Sequence, residues 1–143
     1  MILPDANLLV YAVNVDLPHH HRARAWLESV LSGTESVGLA WAVTLAFLRV
    51  TTNPRVFERP LGIDRALGFA EEWLRHPLVK PVAPGQGHWP IFRRLLEQSG
   101  AAGNLTTDAH LAALALEWGY TLYSADNDFK RFAGLTHVNP LAD

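Results

Sequence analysis

Short apolar runs of strand length alternate along the whole chain with longer segments of helical period, and this alternation constrains the fold more than any other feature. The runs are Ile2-Leu3-Pro4, Val37-Gly38-Leu39, Val79-Lys80-Pro81-Val82, Thr121-Leu122-Tyr123-Ser124 and His137-Val138. Helical spacing shows between them in Ala25 to Leu31, Trp41 to Val50, Leu67 to Leu74, Trp89 to Leu96 and Leu111 to Trp118, each pattern leaving one stripe to bury. Strands joined by crossovers of this length predict an α/β domain whose mainly parallel sheet is covered by helices on both faces. Ligands of such sheets belong at the carboxyl ends of the strands.

With 143 residues the chain is long enough for one core and too short for two, so residues 1–143 read as a single domain. No uninterrupted apolar stretch is long enough to cross a membrane. The start, Met1-Ile2-Leu3-Pro4-Asp5, does not read as a secretory signal, which leads to the expectation of a cytoplasmic protein with no membrane attachment. The absence of cysteine excludes disulfides, thiolate nucleophiles and Cys-based zinc sites. Any metal must therefore be held by oxygen or imidazole. A formal net charge of −2 provides no global attraction for nucleic acid, so such a ligand would need a local basic surface.

Most of the 14 acids fall opposite apolar stripes and read as solvated helix residues: Glu28, Glu71, Glu72, Glu97 and Glu117. Four do not. Asp5 follows the first strand and precedes the helix-like run Ala6-Asn7-Leu8-Leu9-Val10-Tyr11; alone it is more simply a helix cap. Asp108 falls in the first turn of a helix, with Thr107 as its expected cap, and alanines at 109, 112 and 113 place that helix deep against the sheet. Asp126 and Asp128 follow the fourth strand in a loop, where an Asx-turn is the plain alternative. A calcium loop is excluded, because its Gly and Glu positions hold Arg131 and His137. Acids at three separate element ends of one parallel sheet repel one another, and a cation is the usual compensation. Hard oxygen ligands suit Mg²⁺ or Mn²⁺, ions that can hold a water and neutralise phosphate charge during phosphodiester hydrolysis.

These residues also resemble a known family. Asp5-Ala6-Asn7, Trp41 with Phe47-Leu48-Arg49 and Thr52-Asn53-Pro54-Arg55-Val56, Gly103-Asn104 with Thr107-Asp108-Ala109-His110-Leu111-Ala112-Ala113, Asp126-Asn127-Asp128-Phe129 and Val138-Asn139-Pro140-Leu141 are similar in order and spacing to the PIN-domain VapC toxins. The resemblance implies an α/β/α sandwich, a Mg²⁺- or Mn²⁺-dependent endoribonuclease leaving 5′-phosphate and 3′-hydroxyl ends, a VapB-type antitoxin partner and a homodimer. It also implies that Asp5, Asp108 and Asp126 are the metal-site acids and Asp128 an auxiliary one in the catalytic group. Ser124 matches the hydroxyl residue commonly found ahead of the late acids and Asn7 an orienting side chain, both auxiliary, and Arg49 and Arg55 are candidate RNA contacts. One departure stands out: the family's Glu early in the helix after the second strand has no counterpart in Trp41-Ala42-Val43-Thr44-Leu45-Ala46-Phe47. That opens a second expectation, a PIN module that binds antitoxin or RNA without efficient cleavage.

Other features carry less. His19-His20-His21 would point in different directions on a helix, where metal ligands need a spacing of three or four. His110 reads as packed or capping. Arg49, Arg55 and Arg59 cluster in sequence as a candidate basic rim, with ordinary surface charge as the equal alternative. The five tryptophans fall mostly on apolar stripes and are assigned to the core or to a dimer contact. A receiver-like phosphoacceptor domain is disfavoured, because the late acids here follow Lys80 rather than precede it.

Overall fold

Leu3 and Leu122 have no exposed surface and sit in the two strands at the heart of the molecule, each covered on both faces; such strands read as continuous apolar runs. A computed structural model describes residues 1–100 and 103–142, the side chain of Asn104 excepted. Strands β1 (Ile2–Pro4), β2 (Val37–Ala40), β3 (Val79–Val82), β4 (Thr121–Tyr123) and β5 (His137–Val138) form one sheet in the order β3-β2-β1-β4-β5. Every pairing is parallel, with Ile2 opposite both Val37 and Thr121. The expected strands are all present. Pro81 is accommodated because β3 lies at an edge, where a missing ladder donor costs least.

The helices are α1 (Ala6–Val13), α2 (His20–Leu31), α3 (Trp41–Thr51), α4 (Ile63–Arg75), α5 (His88–Ser99) and α6 (Thr106–Trp118). Helix α1 packs on α2 and α3, and α3 on α4, whereas α5 pairs with α6. The first four connect strands moving outward from β1 to β3, and the last two carry the chain back across the sheet to β4. Right-handed crossovers then set the two groups on opposite faces. The result is the expected α/β fold. On the first side Phe47 of α3, fully buried, meets Trp73 of α4 edge to face at 4.8 Å. On the other, α6 buries Ala109, Leu111, Ala112, Ala113, Leu114 and Ala115, so its alanines do let it lie close to the sheet. It stops at Gly119, whose φ of 72° is the left-handed cap that glycine adopts most readily.

Three expectations need correcting. Trp41, Trp89 and Trp118 are 67%, 65% and 47% exposed, which rules out the core for these three but not the dimer contact, while Trp73 is a core tryptophan and Trp26 is half-buried. Their apolar neighbours in sequence mark the edges of stripes rather than the centres. Glu117 is not a solvated helix acid: its side chain is only 9% exposed, and its carboxylate accepts from the backbone N–H groups of Gly85 and Gly87 at 2.9 and 3.0 Å. It ties the β3–α5 loop to α6, and Cβ atoms could not be added at Gly85 without meeting Glu117 at 2.6 Å. Finally, Thr107 does not cap α6, which opens one residue earlier and has no side-chain cap.

Among the described residues no helix is long and apolar enough to cross a membrane. Replacing Phe47 by Ala removes a fully buried ring and leaves Trp73 unsupported, so Phe47→Ala should cost about 3–5 kcal/mol in urea unfolding.

Candidate active site

The strand order reverses at β1: the chain runs outward through β2 and β3 and then returns to place β4 on the opposite side of β1. The carboxyl ends of β1 and β4 therefore border the switch point, where open α/β sheets bind ligands. Asp5 leaves β1 there, and Ser124 and Asp126 leave β4. Asp108 comes to the same place from the first turn of α6.

Asp5 is both things the sequence allowed. Its Oδ1 accepts from the Ala6 N–H at 2.7 Å and so caps α1, while Oδ2 accepts from the Ser124 hydroxyl at 2.8 Å. The Ser124 oxygen, fully buried, in turn accepts from Asn7 Nδ2 at 3.1 Å and from the Asp126 N–H at 3.0 Å. Asn7 also accepts from the Ala125 N–H with its Oδ1 at 3.4 Å. Ser124 and Asn7 thus link the Asp5 carboxylate to the loop that carries Asp126. Asp126 does form the Asx-turn, its Oδ1 accepting from the Asp128 N–H at 2.9 Å, at the head of the short 3₁₀ segment Asn127–Arg131. Asp128 is exposed at the rim.

The electrostatics show that these acids act on one another's charge. Burial raises the Asp5 pKa above its ordinary 3.8; the hydrogen bonds from Ser124 and Ala6 oppose this, the Asp126 charge adds to it, and His137 lowers it. Asp108 is pushed up to about 6 by burial, and then by the charges of Asp5, Asp126 and Asp128, with Arg131 pulling the other way. Three other acids raise one carboxylate. The sequence-predicted set therefore shares a single field, although among the described residues no three acids or histidines converge tightly enough, as the side chains stand, to hold an ion between them.

Beside Asp5 and Asp108 opens a cavity of about 210 Å³, lined also by Ala42, Val43, Ala46, Thr107 and Arg49. Ala42 and Ala46 occupy the wall of α3 where a long acidic side chain would reach these carboxylates. Arg49 brings a cation to that wall. Arg55 does not line the cavity; it is exposed on the turn after α3, its N–H donating to Asn53 Oδ1. Arg59 pairs instead with Asp16, so the three arginines do not form one rim around the acids.

Other candidates fall outside this group. His110 turns toward α5, where its Nδ1 lies 2.9 Å from His88 Nε2, and burial followed by the neighbouring His88 lowers its pKa. His20 is buried and hydrogen-bonds the Tyr11 carbonyl through Nδ1 at 2.8 Å, so this member of the histidine run is used for packing, whereas His19 and His21 are exposed. A larger cavity, about 420 Å³, lies between α2 and α4 against Leu27, Leu31, Phe69 and Trp73 and holds none of the four aspartates. Size does not mark the chemistry here; charge does. Sequence reasoning missed His137 and Asn139, which contact the Ser124–Asn127 loop and carried no acid signal to draw attention.

The raised Asp108 pKa has a thermodynamic sign. The folded chain takes up a proton there more readily than the unfolded chain, so ion-free stability contributed by this group rises as pH falls from about 6 toward 4 and is lost toward neutrality. His110 acts oppositely: held neutral by folding, it costs stability as pH drops below its ordinary 6.5. Asp108→Asn should therefore raise the ion-free melting temperature at pH 7.5, and the gain should vanish by about pH 4, read by scanning calorimetry across pH.

Comparison with known proteins agrees with this geometry. The model of the PIN domain matches residues 2–135. Ribonuclease VapC33 of Mycobacterium tuberculosis is 41% identical over 143 residues, covering 100% of both chains. Ribonuclease VapC37 of the same organism is 42% identical over 142 residues, 99% of each. Among solved structures, VapC20 of Mycobacterium tuberculosis, described as a sarcin-ricin loop cleaving toxin, superposes with a TM-score of 0.69 at 19% identity over 98% of this chain and 100% of that one. VapBC2 of Rickettsia felis, bound to a promoter DNA fragment, gives 0.72 at 18% identity over 97% and 98%. Those two likenesses establish the fold alone. The full-length identity to the two ribonucleases does more, and the chain belongs to the PIN-domain family, in its VapC group.

Proposed function

We propose that this chain is a divalent-cation-dependent endoribonuclease, the toxin of a VapBC-type pair, whose site is formed by Asp5, Asp108 and Asp126 with Asp128 at its rim. The observation that carries the reading is the placement of these aspartates at the switch point of the sheet, where Ser124 joins Asp5 to the Asp126 backbone and Asp5 and Asp108 line one cavity. Carboxylates that feel one another's charge favour a cation that draws them together, and hard oxygen donors without cysteine suit Mg²⁺ or Mn²⁺. Asp5, Asp108 and Asp126 would hold it. Such an ion supplies Lewis acidity, neutralising charge on a phosphodiester and making water a stronger acid. The relatives' names supply the substrate class, RNA, and the structural neighbours that are toxin–antitoxin complexes supply the partner, a VapB-type antitoxin.

The protein's own groups then have separate tasks. Ser124 and the Ala6 N–H fix Asp5, so one carboxylate is set in place before substrate arrives. Arg49, which lines the same cavity as Asp108, would bind a non-bridging phosphate oxygen. A carboxylate would accept a proton from the attacking water as its oxygen joins phosphorus, the P–O3′ bond would break, and the departing 3′ oxygen would take a proton from solvent water. The ends are then a 5′-phosphate and a 3′-hydroxyl.

A second reading is favoured by one observation: Ala42 and Ala46 leave the cavity wall of α3 without an acid. With fewer ligands the fold would bind antitoxin or RNA and cleave weakly. Incubating antitoxin-free protein with total bacterial RNA and Mg²⁺ or Mn²⁺ separates the two. The enzyme reading expects discrete ends that disappear with EDTA and fall by about a hundredfold or more in Asp5→Asn; an intact RNA profile from folded protein in both metals supports the binding module. Arg49→Ala should lower cleavage chiefly through weaker RNA binding, and Ala42→Glu or Ala46→Glu should tighten Mn²⁺ binding in calorimetric titration.

A further inference from the structure

β5 is a strand of two residues at the sheet edge, and neither belongs to the core: His137 is half-buried and Val138 exposed. Beyond its parallel pairing with β4 and the packing of the His137 ring on Phe129, its polar contacts run to the loop that leaves β4 toward Asp126. The Val138 carbonyl accepts from the Ser124 N–H at 3.0 Å. His137 Nε2 lies 3.0 Å from the Ser124 carbonyl, which can only accept, so the ring carries its proton on Nε2. Asn139 Nδ2 donates to the Ala125 carbonyl at 3.3 Å and reaches Asn127 Oδ1 at 3.4 Å. Asn7 accepts from the Ala125 N–H on the opposite side. Every backbone N–H and C=O of Ser124 and Ala125 is therefore engaged, two of the four by side chains spaced i and i+2 on β5 and the residue after it.

Two further facts separate this arrangement from ordinary edge pairing. The second ring nitrogen of His137, Nδ1, is buried with no hydrogen-bond partner. A buried polar atom left so is a standing cost that an apolar residue would remove. Asn139 is itself fixed, its Oδ1 accepting from the Leu141 N–H at 3.0 Å, so its amide is oriented toward the loop before any ligand arrives. Ser124, the residue held most firmly, is the one whose hydroxyl joins Asp5 to the Asp126 backbone.

We propose that His137 and Asn139 are positioning residues of the carboxylate site: together they clamp the Ser124–Ala125 backbone so that Asp126 is presented to Asp5 and Asp108. The inference rests on the reading of that site as the ribonuclease centre. Neither residue touches substrate; each acts through Ser124 and the loop. His137→Phe keeps a ring against Phe129, 5.9 Å away, and removes the donor. His137→Gln keeps a donor near the Nε2 position. Asn139→Asp keeps the acceptor for Leu141 and removes the donor to Ala125.

The test is amide hydrogen exchange on the ion-free protein, followed by Mn²⁺ titration and RNA cleavage. His137→Phe and Asn139→Asp should speed exchange of the Ala125 and Asp126 amides at least tenfold while the β1 and α6 amides keep their rates, weaken Mn²⁺ binding and lower kcat with KM little changed. His137→Gln should restore the wild-type values. A purely structural role would instead lower protection throughout the molecule and leave Mn²⁺ affinity of the folded fraction unchanged, and that outcome overturns the proposal. So do loop amides that exchange at the wild-type rate in both donor-deleting variants. Failure of the ribonuclease reading looks different: wild-type protein inert on RNA and without Mn²⁺ affinity, whatever the exchange rates.

Discussion

The hydrogen bond from the Ser124 hydroxyl to Asp5, 2.8 Å between a fully buried oxygen and a carboxylate whose charge burial disfavours, is the interaction around which the site is arranged. It joins the ends of the two central strands across the switch point. Without it Asp5 would keep only the Ala6 N–H, and the loop after β4 would lose the acceptor for the Asp126 N–H. The sheet exists to make this meeting: β1 and β4 are three residues each, and their register, Pro4 opposite Tyr123, brings Asp5 and Ser124 level. Short central strands suffice because α6 lies against them on alanine.

From that meeting follows the conflict that marks the protein. Folding buries carboxylates and sets like charges beside them, and the raised Asp5 and Asp108 pKa values register burial first and repulsion second. Elsewhere the chain arranges its acids conventionally, pairing Arg24 with Glu28, Arg75 with Glu71 and Arg93 with Glu97 along exposed helices. At the switch point, by contrast, Asp5, Asp126 and Asp128 act on Asp108 with like charge, and Arg131 and Arg49 stand at the margins. Local strain of this kind is concentrated where a ligand is to be bound.

Much of this was legible in the sequence. The alternation of short apolar runs and helical periods yields all five strands and the α/β class, and the position of Asp5, Asp108 and Asp126 at element ends picks them from the other acids. Three kinds of feature were not. Exposure of Trp41, Trp89 and Trp118 depends on which side of a stripe faces the sheet, and a half-turn error in periodicity inverts it. Glu117 reads as a solvated helix acid because its partners, the N–H groups of Gly85 and Gly87, lie about thirty residues away and carry no side-chain signal. The roles of His137 and Asn139 were hidden for the same reason, since both act on backbone atoms of a loop that only the fold brings near.

The central claim, that these aspartates form one cation site, is tested most directly by anomalous diffraction from crystals of the antitoxin-free protein soaked in Mn²⁺. The account predicts a peak bounded by Asp5, Asp108 and Asp126, lost in Asp5→Asn crystals. Mn²⁺ absent from this place at millimolar concentration, or found only at other carboxylates such as Glu71 or Glu97, would contradict it.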